Sequence, residues 1–423
     1  MLLKFKVSNY KTFVDEVEFS MIPAPKQKDL EYSVLKKEIN NKQYKALCSS
    51  VIYGPNGSGK TNIIGALETF ISIVSKGHIR NEDERSINMS SHNLELIPNC
   101  KLDKPKPTKF LIQFIMDNEF VEYVLDIELG LFLDEEFERK VTYEKLTIND
   151  SVEFERHGNK INLHNLHDRN AVHDNHLLYV ITQNLERNSL FLTNGFKNAI
   201  NNDLSNRIID YLKNKFRIFY RSNIVRLRMK LSKENPIVFD DELTRVAKKF
   251  DASGNQIYFA SNDLENGGNS NLAISIQDHD KKNYLLPVED FESYGTFRFL
   301  NIYPFIKETL KEGGVLVIDE FDASLHPMVI MNIINIFHND EKNVNNAQLI
   351  FNTHNPIFLR NTLFRRDEIK FVEKEDNASI IYSLSDFGTS GKDGVRNTDD
   401  YMKNYFINKY GAINDIDLTE LFM

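Results

Sequence analysis

Gly54-Pro55-Asn56-Gly57-Ser58-Gly59-Lys60-Thr61 is the stretch that decides the fold. It fits the pattern G-x-x-x-x-G-K-[ST]. Glycines let such a loop turn so that successive backbone N–H groups point inward at phosphate oxygens. The helix expected to follow adds its positive N-terminal end. In that geometry Lys60 reaches the outer phosphates of a nucleotide and the Thr61 hydroxyl ligates Mg2+. The flanks agree with this. Ser49 to Tyr53 reads as a short strand, and Ile63, Ile64, Leu67, Phe70, Ile71 and Val74 recur at helical spacing.

A second half of the site is expected far along the chain. Val315-Leu316-Val317-Ile318 is a continuous apolar run ending in Asp319-Glu320. A strand of this kind, covered on both faces, suits a Walker B element. Asp319 would hold the metal through water, and Glu320 would orient or deprotonate the water that attacks the terminal phosphate. Another buried strand, ending at Phe351, is followed by Asn352-Thr353-His354. A histidine at the carboxyl end of such a strand suits sensing of the phosphate or holding of the water. Glu292-Ser293-Tyr294-Gly295-Thr296 precedes a helical stretch with Leu300, Tyr303, Ile306 and Leu310. Small residues there offer a hydroxyl and N–H groups to a phosphate. Lys60 already occupies one side of the triphosphate, so this second helix end is expected to come from another subunit. Its simpler reading is an ordinary Ser N-cap.

Composition narrows the classes. The 423 residues are 41% hydrophobic and 27% charged, as in ordinary globular chains. The net charge of −9 argues against a globally basic nucleic-acid binder, though not against a local basic stripe. Two cysteines, Cys48 and Cys100, make neither a disulfide framework nor a Cys-rich zinc site, so a cytoplasmic location is expected. The opening residues do not read as an export signal, so none is expected. The longest uncharged stretches, 323–339 and 343–359, carry Asn, His and Pro and fall short of a spanning helix, so no membrane association is expected.

Along the chain, Leu3, Phe5 and Val7 alternate, followed by a turn and a second strand at Val17 and Phe19. Residues 23–45 read as a polar loop and 76–108 as an exposed insertion. Residues 109–148 alternate again and predict an antiparallel meander. Residues 149–180 are His- and Asn-rich and read as a loop. The spacing over 185–250 is helical, and the last 140 residues alternate between strand and helix.

In this order the motifs resemble ABC-type ATPase heads of the SMC/RecF kind, within an AAA group of prokaryotic RloA-like, abortive-infection and phage-defence ATPases. Residues 54–62, ending in Asn62, look like the Walker A motif of those heads. Ser293-Tyr294-Gly295 resembles their signature, Ser324-Leu325-His326 their D-loop and His354 their switch histidine. Val7-Ser8-Asn9-Tyr10-Lys11-Thr12-Phe13 is similar to their N-terminal stretch, whose basic residue, here Lys11, lies near the nucleotide. Asp319-Glu320-Phe321-Asp322-Ala323-Ser324-Leu325-His326-Pro327 and Arg365-Arg366-Asp367-Glu368-Ile369 carry the likeness to the narrower group. The likeness is densest over 1–70 and 285–423. Tyr294 departs from it, standing where a small residue is usual, and no Q-loop glutamine can be assigned between Gln113 and Gln183.

The resemblance implies an α/β fold, a P-loop NTPase of ABC-ATPase head type with an antiparallel β subdomain and an inserted mainly helical lobe. The core would be 1–75 plus 285–423, the antiparallel sheet and insertion loops 76–180, and the helical lobe 181–284. It implies ATP and Mg2+ as ligands, an ATP-dependent homodimer or higher homo-oligomer, and hydrolysis by Glu320. It further implies a separate effector protein, TOPRIM-like or another nuclease, regulated in anti-phage defence. The alternatives are a RecF-like DNA-binding ATPase and a non-hydrolysing nucleotide-gated scaffold. Arg217, Arg221, Arg226, Arg228, Lys230 and Lys233, with Phe219 and Tyr220 among them, read either as a nucleic-acid or partner surface or as a solvated charged face. The histidines at 157, 164, 167, 173 and 176 read as a solvated loop in preference to a metal site. Only 69 residues follow His354, too few for a fused nuclease domain of about 100 residues.

Overall fold

The computed structural model describes residues 1–25, 27, 29–80, 95–134, 136–164, 175–220, 226–250, 255–261, 263, 268–391, 394–413 and 419, with backbone alone at 175–178. The described chain divides into two compact units. The larger comprises 1–220, 309–319 and 334–423, and the smaller 221–308 and 320–333.

The larger unit is built on the apolar runs. Ser49–Tyr53, Val315–Ile318 and Gln348–Asn352 are buried at every position, as strands covered on both faces must be. They form the middle of a six-stranded sheet ordered Phe216–Phe219, Val315–Ile318, Gln348–Asn352, Ser49–Tyr53, Ile369–Glu375, Ala378–Ser383. The first five strands are parallel and the last is antiparallel. Parallel order brings the carboxyl ends of Ser49–Tyr53, Val315–Ile318 and Gln348–Asn352 to one edge.

The helix Lys60–Lys76 starts directly after the phosphate loop and ends at Gly77, whose N–H caps the Ile73 carbonyl. Its Ile63, Ile64 and Leu67 lie against Ile52, Val317 and Ile350 of the parallel sheet. Its Phe70 turns to a second sheet, with ring centroids 6.0 Å from Phe5, 5.7 Å from Phe110 and 5.9 Å from Tyr123. That sheet is antiparallel and seven-stranded, ordered Lys160–Leu163, Ser151–His157, Lys140–Ile148, Glu119–Glu128, Thr108–Met116, Leu2–Ser8, Val17–Ser20. A buried amide joins the two sheets. Leu2 N donates to Gln348 Oε1 at 2.6 Å, and Gln348 Nε2 donates to the carbonyls of Leu2 and Leu47, both at 3.0 Å.

Two polar clusters are buried in this unit, and both are paired, as burial requires. Glu144 is fully buried and accepts from Tyr123 Oη at 2.8 Å, Phe191 N at 2.7 Å, Leu192 N at 2.8 Å and Arg156 Nη1 at 3.4 Å. It thereby supplies partners to the opening N–H groups of the helical turn at 191–196. The second cluster explains Arg365-Arg366-Asp367-Glu368. Arg365 Nε and Nη2 donate to Asp367 at 2.9 Å, and Asp367 accepts from Ala24 N at 2.7 Å. Glu368 accepts from Ser49 Oγ at 2.8 Å and lies 3.0 Å from His338 Nε2. Ser49 opens its strand, so this motif braces the end of the sheet away from the phosphate loop.

The smaller unit has a five-stranded antiparallel sheet of Lys230–Leu231, Gly268–Gln277, Gln256–Ser261 and Ile237–Asp240, with Asn283–Pro287 paired to Gly268–Gln277. Leu243, Ile257, Leu272, Ile274, Phe297 and Leu300 fill its core.

Several expectations are corrected. The lobe at 181–284 is helical at Asn202–Lys215 and Asp241–Ala247, but Phe216–Phe219 is a strand of the parallel sheet, and Lys230–Leu231, Ile237–Asp240, Gln256–Ser261 and Gly268–Gln277 are strands as well. The polar loop at 23–45 contains a hairpin, Val34–Ile39 with Lys42–Leu47, joined by Asn40 and Asn41 at φ of 48° and 62°. Two positive φ angles make the turn that asparagine tolerates best among side-chain-bearing residues. The His-rich loop includes Ser151–His157 and Lys160–Leu163, which extend the seven-stranded sheet, and helix Asn175–Asn184. His167 and His173 lie outside the described residues. Pro304 stands inside the helix Tyr294–Glu312.

Candidate nucleotide site

The phosphate loop leaves the carboxyl end of Ser49–Tyr53 and enters the helix Lys60–Lys76. Two of its glycines are required by what surrounds them. A Cβ on Gly54 would lie 2.3 Å from the Val372 carbonyl oxygen, and one on Gly59, at φ +109°, 2.9 Å from both Ser379 Oγ and Thr12 Oγ1. The loop is held from outside by those same residues. Ser379 Oγ donates to Ser58 O at 2.6 Å, Ser379 N donates to Thr12 O at 2.7 Å, and Asn62 Nδ2 donates to Thr12 Oγ1 at 2.9 Å. Asn56 and Gly57 are exposed at the tip. Lys60 is 5% exposed, and its Nζ donates to the carbonyls of Gly54 at 2.8 Å and Pro55 at 2.9 Å. The lysine therefore already arches over its own loop.

Thr61 Oγ1 donates to Asp319 Oδ1 at 3.1 Å, although 258 residues separate them. Asn352 Nδ2 donates to the same carboxylate oxygen. These groups suit a hard divalent cation, since hydroxyl and carboxylate oxygens are the donors Mg2+ takes. His354 is exposed two residues beyond the strand that carries Asn352, and Thr353 N donates to Ile52 O at 3.2 Å, at the edge where the phosphate loop begins.

Lys11 has a positive φ of 49°. Its Nζ is hydrogen-bonded to Glu95 and donates to Tyr220 Oη at 2.9 Å, and the Tyr220 ring occupies the space that a Cβ on Gly65 would fill. The side chain is thus anchored beside the phosphate-loop helix, and Thr12, one residue on, reaches the loop itself. Gln113 donates to Glu122 at 2.6 Å within the seven-stranded sheet, and Gln183 is exposed on helix Asn175–Asn184. Neither lies on an element that carries the phosphate loop.

The signature-like residues belong to the smaller unit. Ser293 Oγ accepts from Thr296 N at 3.1 Å, so this serine does cap the helix Tyr294–Glu312, and it is exposed. A Cβ on Gly295 would lie 2.5 Å from Ser324 O, which brings the D-loop-like segment onto the signature-like turn. Ser324 and Glu320 have φ of 64° and 50°, uncommon for residues with side chains. Arg298, one turn along the same helix, donates from Nη2 to Glu320 O at 2.7 Å. Arg298 is 3% exposed, and burial lowers its pKa against the pull of Tyr294, Asp322 and Glu320.

Four contacts follow from no motif: Thr12 and Ser379 on the phosphate loop and Asn352 on Asp319 in the larger unit, and Arg298 on Glu320 in the smaller. Asn352 stood beside His354 in the quoted motif, so a polar residue ending a buried strand was the available signal. The other three are brought in by tertiary contact alone.

Residues 49–360, more than half of the chain, match the AAA_21 family, described as "AAA domain, putative AbiEii toxin, Type IV TA system". No curated protein sequence matches the chain. Among solved structures, the chain is similar to the SMC head domain from Thermotoga maritima at 13% identity and a TM-score of 0.36, covering 90% of this chain and 98% of that one. It is also similar to the Pyrococcus furiosus Smc head domain with an extended coiled coil, bound to the C-terminal domain of ScpA, at 13% identity and a TM-score of 0.38, covering 90% and 96%.

Proposed function

Because the chain belongs to the AAA_21 family of ATPase domains, we propose that it binds and hydrolyses ATP with Mg2+ in a pocket completed by a second copy of itself, and that this ATP-gated dimer regulates a separate effector in anti-phage defence. One observation carries the catalytic part. Thr61 and Asp319 are hydrogen-bonded at the mouth of a phosphate loop whose lysine and glycines are already set. The N–H groups of residues 57–61 receive the phosphates, and the Lys60 ammonium reaches phosphate oxygens. Thr61 and, through water, Asp319 would hold Mg2+, which would neutralise charge on the phosphates. Glu320 accepts a proton from the attacking water as the new P–O bond forms and ADP leaves, and His354 steadies that water or the terminal phosphate.

Ser293 and Gly295 of the other copy close the pocket. Ser293 is exposed, and its helix offers N–H groups on that side. The words "putative AbiEii toxin, Type IV TA system" in the family description support a defence context; the separate effector, TOPRIM-like or another nuclease, or a toxin, is the proposal's own part. A DNA-binding repair role is the second reading. It draws on exposed Arg228, Lys230 and Lys233, while Arg226 is paired with Glu289 at 2.8 Å. Salt-dependent DNA binding lost on neutralising those three residues would favour it.

The experiment is Glu320→Gln. It should retain ATP, lose turnover by about 100-fold or more, and run as an ATP-dependent dimer in light scattering. Normal turnover would move the general base elsewhere, and a strictly monomeric ATP complex would remove the dimer.

A further inference from the structure

Asp319 receives two hydrogen bonds on one oxygen, and they come from different elements. Thr61 at the start of the phosphate-loop helix donates one at 3.1 Å, and Asn352 at the end of the neighbouring strand donates the other. Asp319 is 4% exposed and Asn352 1%. The carboxylate torsion of an aspartate is broad and roughly two-fold, which leaves its plane free to swing unless donors hold it. A second donor fixed in another strand removes that freedom.

Asn352 is itself tied to the site by strand pairing. It pairs with Ile52 of the phosphate-loop strand, while Phe351 beside it pairs with Ile318, one residue before Asp319. The amide thus ties the Asp319 strand and the phosphate-loop strand to one reference point. The residue type matters. Only the Nδ2 side of the amide presents a donor to a carboxylate, a carboxylate at 352 would repel Asp319, and an apolar residue would offer nothing.

We infer that Asn352 is a positioning residue for the metal: by fixing the Asp319 carboxylate it sets the affinity of the Thr61–Asp319 pair for Mg2+, without itself touching the phosphates. This rests on the reading of Thr61 and Asp319 as the metal-holding residues. Loss of a group that orients a metal ligand typically weakens metal binding by about 10–100-fold.

The test is a MgCl2 titration of binding to a ribose-labelled fluorescent ATP analogue, compared with binding in EDTA. The proteins are wild type, Asn352→Ala, Asn352→Leu and Asp319→Ala. Leucine keeps the number and branching of asparagine's side-chain heavy atoms and guards against a cavity effect. Half-saturating Mg2+ should rise about tenfold or more in both Asn352 variants, with affinity in EDTA unchanged. A midpoint within about twofold of wild type, or an equal loss of affinity in EDTA, would overturn the inference and leave Asn352 a structural residue. If Asp319→Ala shifts the midpoint and the Asn352 variants do not, only this inference fails. If Asp319→Ala leaves the Mg2+ dependence untouched, the reading of the metal site fails as well.

Discussion

Lys60 is 5% exposed, and its ammonium donates to two carbonyls of its own loop. Replacing it with alanine removes charge-assisted bonds of about 1.5–3 kcal/mol each. Lys60→Ala is therefore expected to weaken ATP binding by about 10–100-fold in a calorimetric titration; unchanged affinity would withdraw the phosphate loop from the site. At this scale the sequence was most readable where chemistry restricts residue type. Gly54 and Gly59 cannot carry a Cβ, and a lysine after such a loop has few other uses. Asn352, Arg298, Thr12 and Ser379 follow no spacing rule. Each acts on a residue far away in the chain, as Ser379 does on Ser58, and such proximity exists only after folding.

Elements were legible in proportion to how regularly they are buried. Thr108–Met116 and Glu119–Glu128 alternate because one face packs on a core, and their pairing follows the pattern read in 109–148. Val315–Ile318 and Gln348–Asn352 are apolar throughout because both faces are covered. Asn283–Pro287, in the smaller sheet, is exposed at all five positions and carries no alternation to read. Leu243 does lie in a helix, but Asp241–Ala247 is short and strands surround it. The buried Glu144 belongs at this scale because it joins the meander to the turn at 191–196. Removing one partner of a buried, fully bonded carboxylate cluster costs about 3–5 kcal/mol. Glu144→Ala should lower the unfolding midpoint by several degrees in calorimetry, with ATP affinity unchanged in the protein that remains folded. An unshifted midpoint would show that the cluster contributes no net stability.

At the scale of the whole molecule, the residues proposed for one reaction are divided between the two units. Lys60, Thr61, Asp319, Asn352 and His354 belong to the larger, and Ser293, Gly295, Arg298 and Glu320 to the smaller. The Asp319-Glu320 pair stands where one unit passes into the other along the chain. Among the described residues no helix is long and apolar enough to cross a membrane. The proposed pocket shared between copies would make turnover a property of the pair, an arrangement through which nucleotide state could be signalled to a third protein. Mixing two inactive variants tests this most directly. Lys60→Ala keeps the Ser293 side intact and Ser293→Arg keeps the phosphate loop intact, and each alone should be inactive in a phosphate-release assay. If two copies build the pocket, a mixture regains turnover, because each mixed dimer holds one pocket with both halves sound. If one copy builds it alone, the mixture stays as inactive as its parts, and that result would contradict the account.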